Sequence, residues 1–205
     1  MTTKATTAIV RQASAADVTA LAGIIADAFS DDPTMLWIVP DDERRRIVGP
    51  AVFRPFVAGV QRLGATWITE DRTGAALWIP PGYVFPAEHE AEALGQQVAA
   101  VLTEAELERL GALVAVKDEH LPSEPHAHLD LMGVRPTSQG RGLGSALLDA
   151  VLPRLDRDGV PGYTEATSDR NRRLYERHGF VHLDDVAPAG GPPLRRMWRE
   201  PRPLR

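Results

Sequence analysis

The stretch HAHLDLMGVRPTSQGRGLGSALLDAVLPRL, residues 126–155, decides the fold of this chain. It reads as a strand, a glycine-rich turn and an amphipathic helix that begins at the turn. The turn carries Gly140, Gly142 and Gly144 around Arg141. Glycine lets the backbone approach an anion closely, and the first amides of a helix have no intrahelical acceptor. The turn therefore predicts a site for a phosphate-bearing ligand, to which the arginine adds a charged contact.

Spacing excludes two better-known glycine motifs. The dinucleotide fingerprint G-x-G-x-x-G needs glycine at position 145, where the chain has Ser145. The ATP-type loop needs a lysine after its last glycine, and the two lysines of the chain, Lys4 and Lys117, lie far from any glycine turn. The string from Gln139 to Gly144, QGRGLG, has instead the pattern Q/R-x-x-G-x-G/A.

A second informative segment is GYTEATSDRNRRLYERHGF, residues 162–180. It reads as a strand from Tyr163 to Thr167, a short basic helix and a glycine turn. Asn171 and Tyr175 are four residues apart within that helix. Because this spacing stacks two side chains on one helix face, we expect both to reach the same ligand.

Together the two segments resemble the acetyl-CoA signature and the second motif of the GNAT superfamily of N-acetyltransferases. The strings ALWIPPG, LMGVRP, EATSDRN, LYERHGF and PLRRMWRE also resemble a bacterial branch related in layout to puromycin N-acetyltransferase. The resemblance implies an α/β (α+β) fold with a mixed, mostly antiparallel central sheet flanked by helices. It also implies that acetyl-CoA lies in the splay between the fourth and fifth strands.

The resemblance assigns roles to the motif residues. The strand end at Met132-Gly133-Val134 would contact the pantetheine arm and the thioester, and the glycine turn would hold the pyrophosphate. The implied cofactor-binding residues are Met132, Gly133, Val134, Gln139, Gly140, Arg141, Gly142, Leu143, Gly144, Ser145 and Asn171. The acceptor amine attacks the thioester directly, so no enzyme nucleophile is needed. Tyr175 would protonate the departing thiolate, since a phenol with a pKa of about 10 keeps its proton at neutral pH.

The group that receives the proton of the amine has two candidates. Glu165, on the second motif strand, is the first; the alternative is that it only pairs with an arginine. Asp130 is the second, on a strand face that it shares with His126 and His128 by period-two spacing. Those three residues also have the donor types of a metal site. We expect an ordinary polar strand face and no metal, because the family chemistry needs none.

The loop FSDDPTMLW, residues 29–37, lies where GNAT proteins commonly shape the acceptor pocket. Acids followed by an indole suit an organic cation, so Asp32 and Trp37 are predicted to bind the acceptor. The alternative is that Asp31-Asp32-Pro33 only caps and stops helices. The other three tryptophans are predicted to be core or interface residues.

Composition fits one enzyme-sized domain over residues 1–205, with residues 201–205 as a frayed tail. The chain has no cysteine, which excludes disulfides and thiolate chemistry, and a formal net charge of −5, which argues against a nucleic-acid partner. Its first ten residues lack an apolar signal core, and no stretch has the length of a membrane span. We expect a cytoplasmic protein without a membrane partner, and the resemblance adds a possible homodimer.

Periodicity and turn residues predict the order of the remaining elements. In the N-terminal part they predict a strand starting at Ile9, a helix capped by Ser14, and a helix from Asp41 to Leu63 that is interrupted near Pro50 or Pro55. A hairpin of residues 66–71 and 74–80 follows, and then a helical region from Ala87 to Val116 that is divided near Gly111. After the two motif segments, a closing antiparallel pair of strands ends the fold.

The predicted function is transfer of an acetyl group from acetyl-CoA to an amine, in an acceptor that is expected to be a small molecule. Two alternatives stay open at this level. One is the same chemistry on a protein or peptide, and the other is a non-catalytic CoA-binding regulatory module. The presence of Tyr175 favours catalysis. The sequence leaves open which amine is used.

Overall fold

The computed structural model describes residues 9–203. The predictions for the first eight residues and for the last two residues of the tail fall outside this range. The strands are β1 Val10–Gln12, β2 Thr66–Thr69, β3 Gly74–Ile79, β4 Ala127–Val134, β5 Gly162–Ala166, β6 Val181–Val186 and β7 Leu194–Arg199. The α-helices are α1 Val18–Ala28, α2 Pro33–Ile38, α3 Asp42–Arg62, α4 Glu88–Ala99, α5 Glu104–Glu119, α6 Leu143–Asp149, α7 Leu152–Asp158 and α8 Asp169–Arg177.

The seven strands form one sheet in the order β1-β2-β3-β4-β5-β7-β6. Neighbouring strands are antiparallel except β4 and β5, which are parallel. This arrangement confirms the predicted mixed, mostly antiparallel sheet flanked by helices. The parallel pair needs a crossover connection, and α6 and α7 supply it between the two motif strands.

Two hydrophobic cores cover the two faces of the sheet. The central strand β3 is buried along its whole length, and its side chains alternate between the cores: Leu77 and Ile79 join one core, and Ala76 and Trp78 join the other. The first core contains side chains of α1 and α3, and the second contains side chains of α6 and α8. The motif helices therefore lie on the opposite face of the sheet from the N-terminal helices.

Two predicted helix breaks are wrong. Helix α3 runs without interruption through Pro50 and Pro55, although each proline costs about 3 kcal/mol in a helix interior. Its buried face, which includes Val57 and Val60, packs into the first core and outweighs that cost. The predicted division near Gly111 lies inside α5, because one glycine costs only about 1 kcal/mol.

The actual break in that helical region is at residues 100–103. Thr103 begins α5 as its N-cap: the Glu106 amide donates to the Thr103 hydroxyl at 3.4 Å, and the Glu106 carboxylate accepts from the Thr103 amide at 2.7 Å. Two hydrogen-bonded amides at the start of a helix favour a boundary there more strongly than one interior glycine favours a break. Ser14 likewise caps a short 3-10 turn, Ala15–Asp17, which leads into α1.

The predicted frayed tail is anchored where the structure describes it. The amide of Arg202 donates to Asp156 at 2.7 Å, and the guanidinium of Arg199 pairs with the same carboxylate. No helix within residues 9–203 has both the length and the apolar character that crossing a membrane requires.

Candidate active site

The glycine turn adopts the backbone conformation that its sequence predicts. Gly140 and Gly142 have φ values of 78° and 80°, in the left-handed region that favours glycine. A Cβ at either position would meet nothing within 4 Å, so both residues face open space. Gly142 is the N-cap of α6. The turn therefore presents bare backbone to a cavity.

That cavity, the glycine-turn cavity, has a volume of about 360 Å³. All of the predicted cofactor-binding residues except Arg141 line it. Its wall consists of Ala28, Phe29, Asp32, Met132, Gly133, Val134, Ser138, Gln139, Gly140, Gly142, Leu143, Gly144, Ser145, Arg170, Asn171, Leu174 and Arg177. The two motif segments thus enclose one space.

Two cationic side chains of this cavity were not predicted from the sequence. Arg170 and Arg177 of α8 line it, and Arg170 donates to the side-chain oxygen of Gln139. The signal was available: Arg170, Leu174 and Arg177 follow one another at helical spacing, so one face of the basic helix points at the glycine turn. These arginines supply the positive charge that was assigned to Arg141.

The other two motif glycines serve close packing. A Cβ at Gly133 would lie 2.5 Å from the Cβ of Ala28, and one at Gly144 would lie 2.9 Å from Leu174. Gly133 therefore lets α1 approach β4, and Gly144 lets α8 approach α6. The cavity keeps its shape because these elements sit this close together.

Strands β4 and β5 separate beside the cavity. Their pairing covers only Ala127 to Leu129 on β4, although β4 continues to Val134. A register shift between β3 and β4 leaves Asp130 without a partner on β3. Such a bulge changes the side-chain alternation, and Asp130 and Leu131 consequently face the same side of the sheet. The predicted splay between the fourth and fifth strands is present.

A second, smaller cavity lies on that side, between β4, β5 and helices α2, α3 and α5. We call it the inner cavity; its volume is about 130 Å³. Most of its wall is apolar: Phe29, Met35, Ile38, Val52, Phe53, Phe56, Leu110, Leu113, Val114, Leu131, Met132 and Leu194. The polar groups are Thr34, Lys117, Asp130, Thr164, Glu165, Thr167, Asn171 and Tyr175.

The glycine-turn cavity and the inner cavity adjoin each other. Phe29, Met132 and Asn171 line both. A ligand extended along the splay would therefore end beside the inner cavity, next to Tyr175 and Glu165. Both predicted catalytic residues lie on the wall of this second cavity.

Glu165 belongs to a buried charge cluster, which consists of Lys117, His128, Asp130 and Glu165. The ammonium of Lys117 lies 2.9 Å from an oxygen of Asp130 and 3.7 Å from Oε2 of Glu165. Nε2 of His128 lies 3.1 Å from the same Oε2. The Glu165 side chain is 4 % exposed. The sequence predicted both carboxylates as candidates but did not predict Lys117, which α5 contributes.

The cluster fixes the ionisation of its members. Burial by itself would raise the pKa of Glu165, but the nearby Lys117 ammonium and the contact with His128 outweigh it and lower the pKa to about 2. Burial would likewise raise the pKa of Asp130, but the nearby Lys117 ammonium outweighs this effect and lowers that pKa. The two carboxylates in turn raise the pKa of Lys117 against its own burial. All three side chains are charged at neutral pH.

The two carboxylate oxygens of Glu165 differ in their hydrogen bonding. Oε1 is buried, and no donor among residues 9–203 lies within hydrogen-bonding distance of it. A buried carboxylate oxygen without a donor is costly, so such an atom usually marks a place where a ligand or a water supplies the bond. Since Glu165 lines the inner cavity, its carboxylate is placed to meet a ligand there.

Tyr175 is buried, at 4 % exposure, and its ring packs against Phe180 with a centroid distance of 5.7 Å. Burial raises the pKa of its phenol. The phenol therefore keeps its proton at neutral pH, as a proton donor must. Asn171 lies one helical turn earlier, and its amide donates to Thr167 at 3.2 Å.

The two predicted acceptor-binding residues, Asp32 and Trp37, lie in different surroundings. Asp32 caps α2 by accepting from the Thr34 amide at 2.9 Å, and it also accepts from Thr167, which links α2 to the loop after β5. It lines the glycine-turn cavity. Trp37 packs against the first core and beside Gly191, and it lines neither cavity. From α2, the residues that reach the inner cavity are Thr34, Met35 and Ile38.

The polar face of β4 continues into a third space. His126, His128 and Asp130, together with Lys117, line an outer cavity behind the charge cluster. Asp130 accepts from Lys117, and His128 contacts Glu165. Within residues 9–203 there is no group of three or more His, Cys, Asp or Glu side chains that could hold a metal ion.

Comparison with known proteins agrees with this geometry. The profile of the Acetyltransferase (GNAT) family matches residues 66–180, which is more than half of the chain. The chain belongs to the GNAT acetyltransferase family. The matched region runs from β2 to the end of the second motif and includes the β4 and β5 residues that line the two cavities.

Relatives with assigned names share parts of the chain. A mycothiol acetyltransferase of Beutenbergia cavernae is 39 % identical over 85 residues, which are 40 % of this chain and 29 % of that protein. The chain thus spans less than a third of the length of that relative in the match. An uncharacterized N-acetyltransferase of Schizosaccharomyces pombe is 22 % identical over 195 residues, covering 86 % of this chain and 75 % of that one.

Solved structures with the same fold cover almost the whole chain. A Corynebacterium glutamicum structure, described as a histone acetyltransferase and related acetyltransferase, has a TM-score of 0.67 at 25 % identity and covers 97 % of this chain and 98 % of that one. An agmatine N-acetyltransferase has a TM-score of 0.69 at 20 % identity, covering 95 % and 99 %. At that identity, the second likeness shows the fold alone.

Proposed function

We propose that the chain transfers an acetyl group from acetyl-CoA to a primary amine of a small molecule. The observation that carries this proposal is the junction of two cavities at Phe29, Met132 and Asn171, with a protonated phenol and a buried carboxylate on the inner side. Direct attack needs two ligands held end to end and groups that manage two protons. This junction offers both.

The residues around the glycine turn suit the CoA part of the co-substrate. Left-handed Gly140 and Gly142 leave amides unshielded, and Arg170 and Arg177 supply positive charge for a pyrophosphate. The end of β4 pairs with β3 but no longer with β5, which leaves main-chain groups on its β5 side free for the amides of the pantetheine arm. When bound, acetyl-CoA supplies the activated acetyl group as a thioester.

Glu165 and His128 would hold the acceptor ammonium and direct its proton to the outer cavity. Glu165 lines the inner cavity, and its Oε1 makes no hydrogen bond within residues 9–203, whereas Oε2 contacts His128, which lines the outer cavity. Because the pKa of Glu165 is lowered to about 2, this carboxylate holds a cation more readily than it keeps a proton. We therefore assign it to holding the ammonium and passing its proton onward toward the outer cavity.

Tyr175 would act on the leaving group. In the overall change, a nitrogen–carbon bond forms, the carbon–sulfur bond breaks, and the sulfur takes a proton. Tyr175 lies on the wall of the inner cavity beside Asn171, which lines both cavities, and its phenol stays protonated. It is thus the proton donor that the geometry favours.

A small acceptor is favoured over a peptide. The inner cavity has a volume of about 130 Å³, less than the roughly 150 Å³ of an engineered apolar cavity that holds benzene. Relatives in this fold carry names that point to mycothiol, agmatine and arylalkylamine substrates. A peptide substrate would need an open groove at this position. A cytoplasmic location and a homodimer stay predictions.

The test is a panel of amines and peptides incubated with acetyl-CoA, with release of free CoA thiol as the readout. We expect thiol release that depends on a small primary amine. Release with N-terminal or lysine-containing peptides alone would favour the protein-directed alternative. CoA binding without turnover of any acceptor would favour the regulatory alternative.

A further inference from the structure

The inner cavity has an uneven distribution of charge. Its charged wall residues, among those the structure describes, are Lys117, Asp130 and Glu165. The two carboxylates and the ammonium sum to a single negative charge. This count matters because the rest of the described wall carries no charge that could balance a further cation.

Lys117 already engages one of the two carboxylates. Its ammonium is 2.9 Å from Asp130, whereas its distance to Oε2 of Glu165 is 3.7 Å. Oε1 of Glu165 makes no hydrogen bond within residues 9–203. The three charges together therefore leave one net negative charge at the cavity wall for one incoming ammonium.

Another part of the cavity wall has a different character. Phe53, Phe56, Leu110 and Leu113, from α3 and α5, contribute hydrocarbon. An alkyl or aryl group gains by leaving water at such a wall, but an ammonium placed there would be desolvated without a counter-charge. Asp32, which lines the adjoining glycine-turn cavity, already accepts from Thr34 and Thr167.

We propose that the inner cavity selects amines with one positive charge on a small apolar body and rejects diamines, and that Lys117 sets this selectivity by occupying Asp130. This inference rests on the proposed function for its biological meaning. Its physical content is a charge count, one free carboxylate for one ammonium. Lys117 is one of two lysines in the chain, and it is only 24 % exposed. Its role is positioning and selection, since it pairs with a carboxylate at the cavity wall.

The test compares pentylamine with 1,5-diaminopentane, which differ by a second ammonium at the far end. Binding is measured by calorimetry with saturating CoA, and turnover by thiol release with acetyl-CoA. We expect the wild type to bind pentylamine at least about tenfold more tightly, because the second ammonium would be buried unpaired. Equal affinity, or a preference for the diamine, would overturn the proposal.

Two variants separate the charge count from other effects. Lys117→Met removes the ammonium, leaves two carboxylates for the ligand, and should shift the affinity ratio at least about tenfold toward the diamine. The double variant Lys117→Met/Asp130→Asn restores a single negative charge with no ammonium, and should return the ratio to that of the wild type. A ratio that stays constant in both variants would reject the role of Lys117.

Further outcomes distinguish this inference from the proposed function. Should Lys117→Met fail to fold, Asp130→Asn serves instead: Lys117 would then pair with Glu165, and pentylamine affinity should fall. Unchanged affinity in that variant counts against the inference. Selective amine binding without thiol release would remove the proposed acetyl transfer and leave the selectivity standing. Turnover without selectivity would remove the inference about Lys117 and leave the proposed acetyl transfer standing.

Discussion

The glycine-turn cavity and the inner cavity are built in different ways. The first is largely formed by two continuous segments, the end of β4 with its glycine turn and helix α8, and it uses backbone groups. The second is formed by side chains from α2, α3, α5, β4, β5 and α8, and it uses hydrocarbon and paired charges. A cavity of the first kind binds the same ligand wherever its motif occurs. A cavity of the second kind varies with every helix that contributes to it.

The two kinds of construction also respond differently to change. Backbone cradles are sensitive to any side chain at a left-handed glycine, because both conformation and space are affected. Side-chain cavities tolerate single replacements in shape but depend on the balance of buried charge. The following experiments test this contrast.

The largest effect is expected for Gly142→Asp in the glycine-turn cavity. A non-glycine residue at a φ of 80° costs of the order of 1–3 kcal/mol, and a carboxylate there repels a pyrophosphate. Since 1.4 kcal/mol is tenfold, CoA affinity should fall by about 100-fold or more. Calorimetry with CoA measures it. Gly95→Asp, at an exposed position of α4 with open space around it, is the matched control. A folded Gly142→Asp protein with wild-type affinity would remove the assignment of the turn.

The next effect is expected in the inner cavity, for Tyr175→Phe. This change keeps the ring that packs on Phe180 and removes only the proton donor. We expect kcat to fall by about 100-fold, with little change in CoA affinity. Steady-state kinetics with saturating acetyl-CoA give the value. Tyr83→Phe is the control, because that phenol is exposed and does not line the inner cavity. A kcat within about threefold of the wild type would leave Tyr175 a packing residue.

A smaller effect concerns stability against acid. The pKa of Glu165 is lowered from 4.5 to about 2 in the folded state, so its ionised form stabilises the fold. That contribution is complete above pH 4.5 and is lost as the pH falls toward 2. Glu165→Gln should therefore flatten the decline of unfolding free energy across this window. Denaturant unfolding at a series of pH values measures it, with the exposed Glu108→Gln as control. An unchanged slope would show that Glu165 is not held ionised by Lys117.

The smallest effect is expected for Trp37→Leu. The indole lines neither cavity, so the acceptor KM should change by less than about threefold, whereas Met35→Ala, on the wall of the inner cavity, should change it more. Acceptor kinetics at saturating acetyl-CoA compare the two variants. A larger effect at Trp37 than at Met35 would restore the sequence prediction that the indole binds the acceptor.

Much of the glycine-turn cavity was predictable because its residues are close in sequence. Two of its features are local properties that the sequence alone predicts. They are the left-handed conformation of Gly140 and Gly142 and the helical spacing of Asn171 and Tyr175. Arg141 is the exception, because it lies within the motif but does not line the cavity. Arg170, from helix α8, contributes a positive charge to the cavity wall instead. Even a local motif does not state which side chain of a turn points inward.

The order of the strands, the left-handed glycines and the position of Tyr175 one turn after Asn171 were determined by the sequence itself, because hydrophobic period and backbone freedom act over a few residues. Tertiary structure alone decided the rest. It brings Lys117, Asp130 and Glu165 together from α5, β4 and β5, and it turns Trp37 away while Met35 faces inward. Burial and the distances between charges arise only when distant segments pack, and they set the pKa of Glu165 and leave its Oε1 without a hydrogen bond in the described residues.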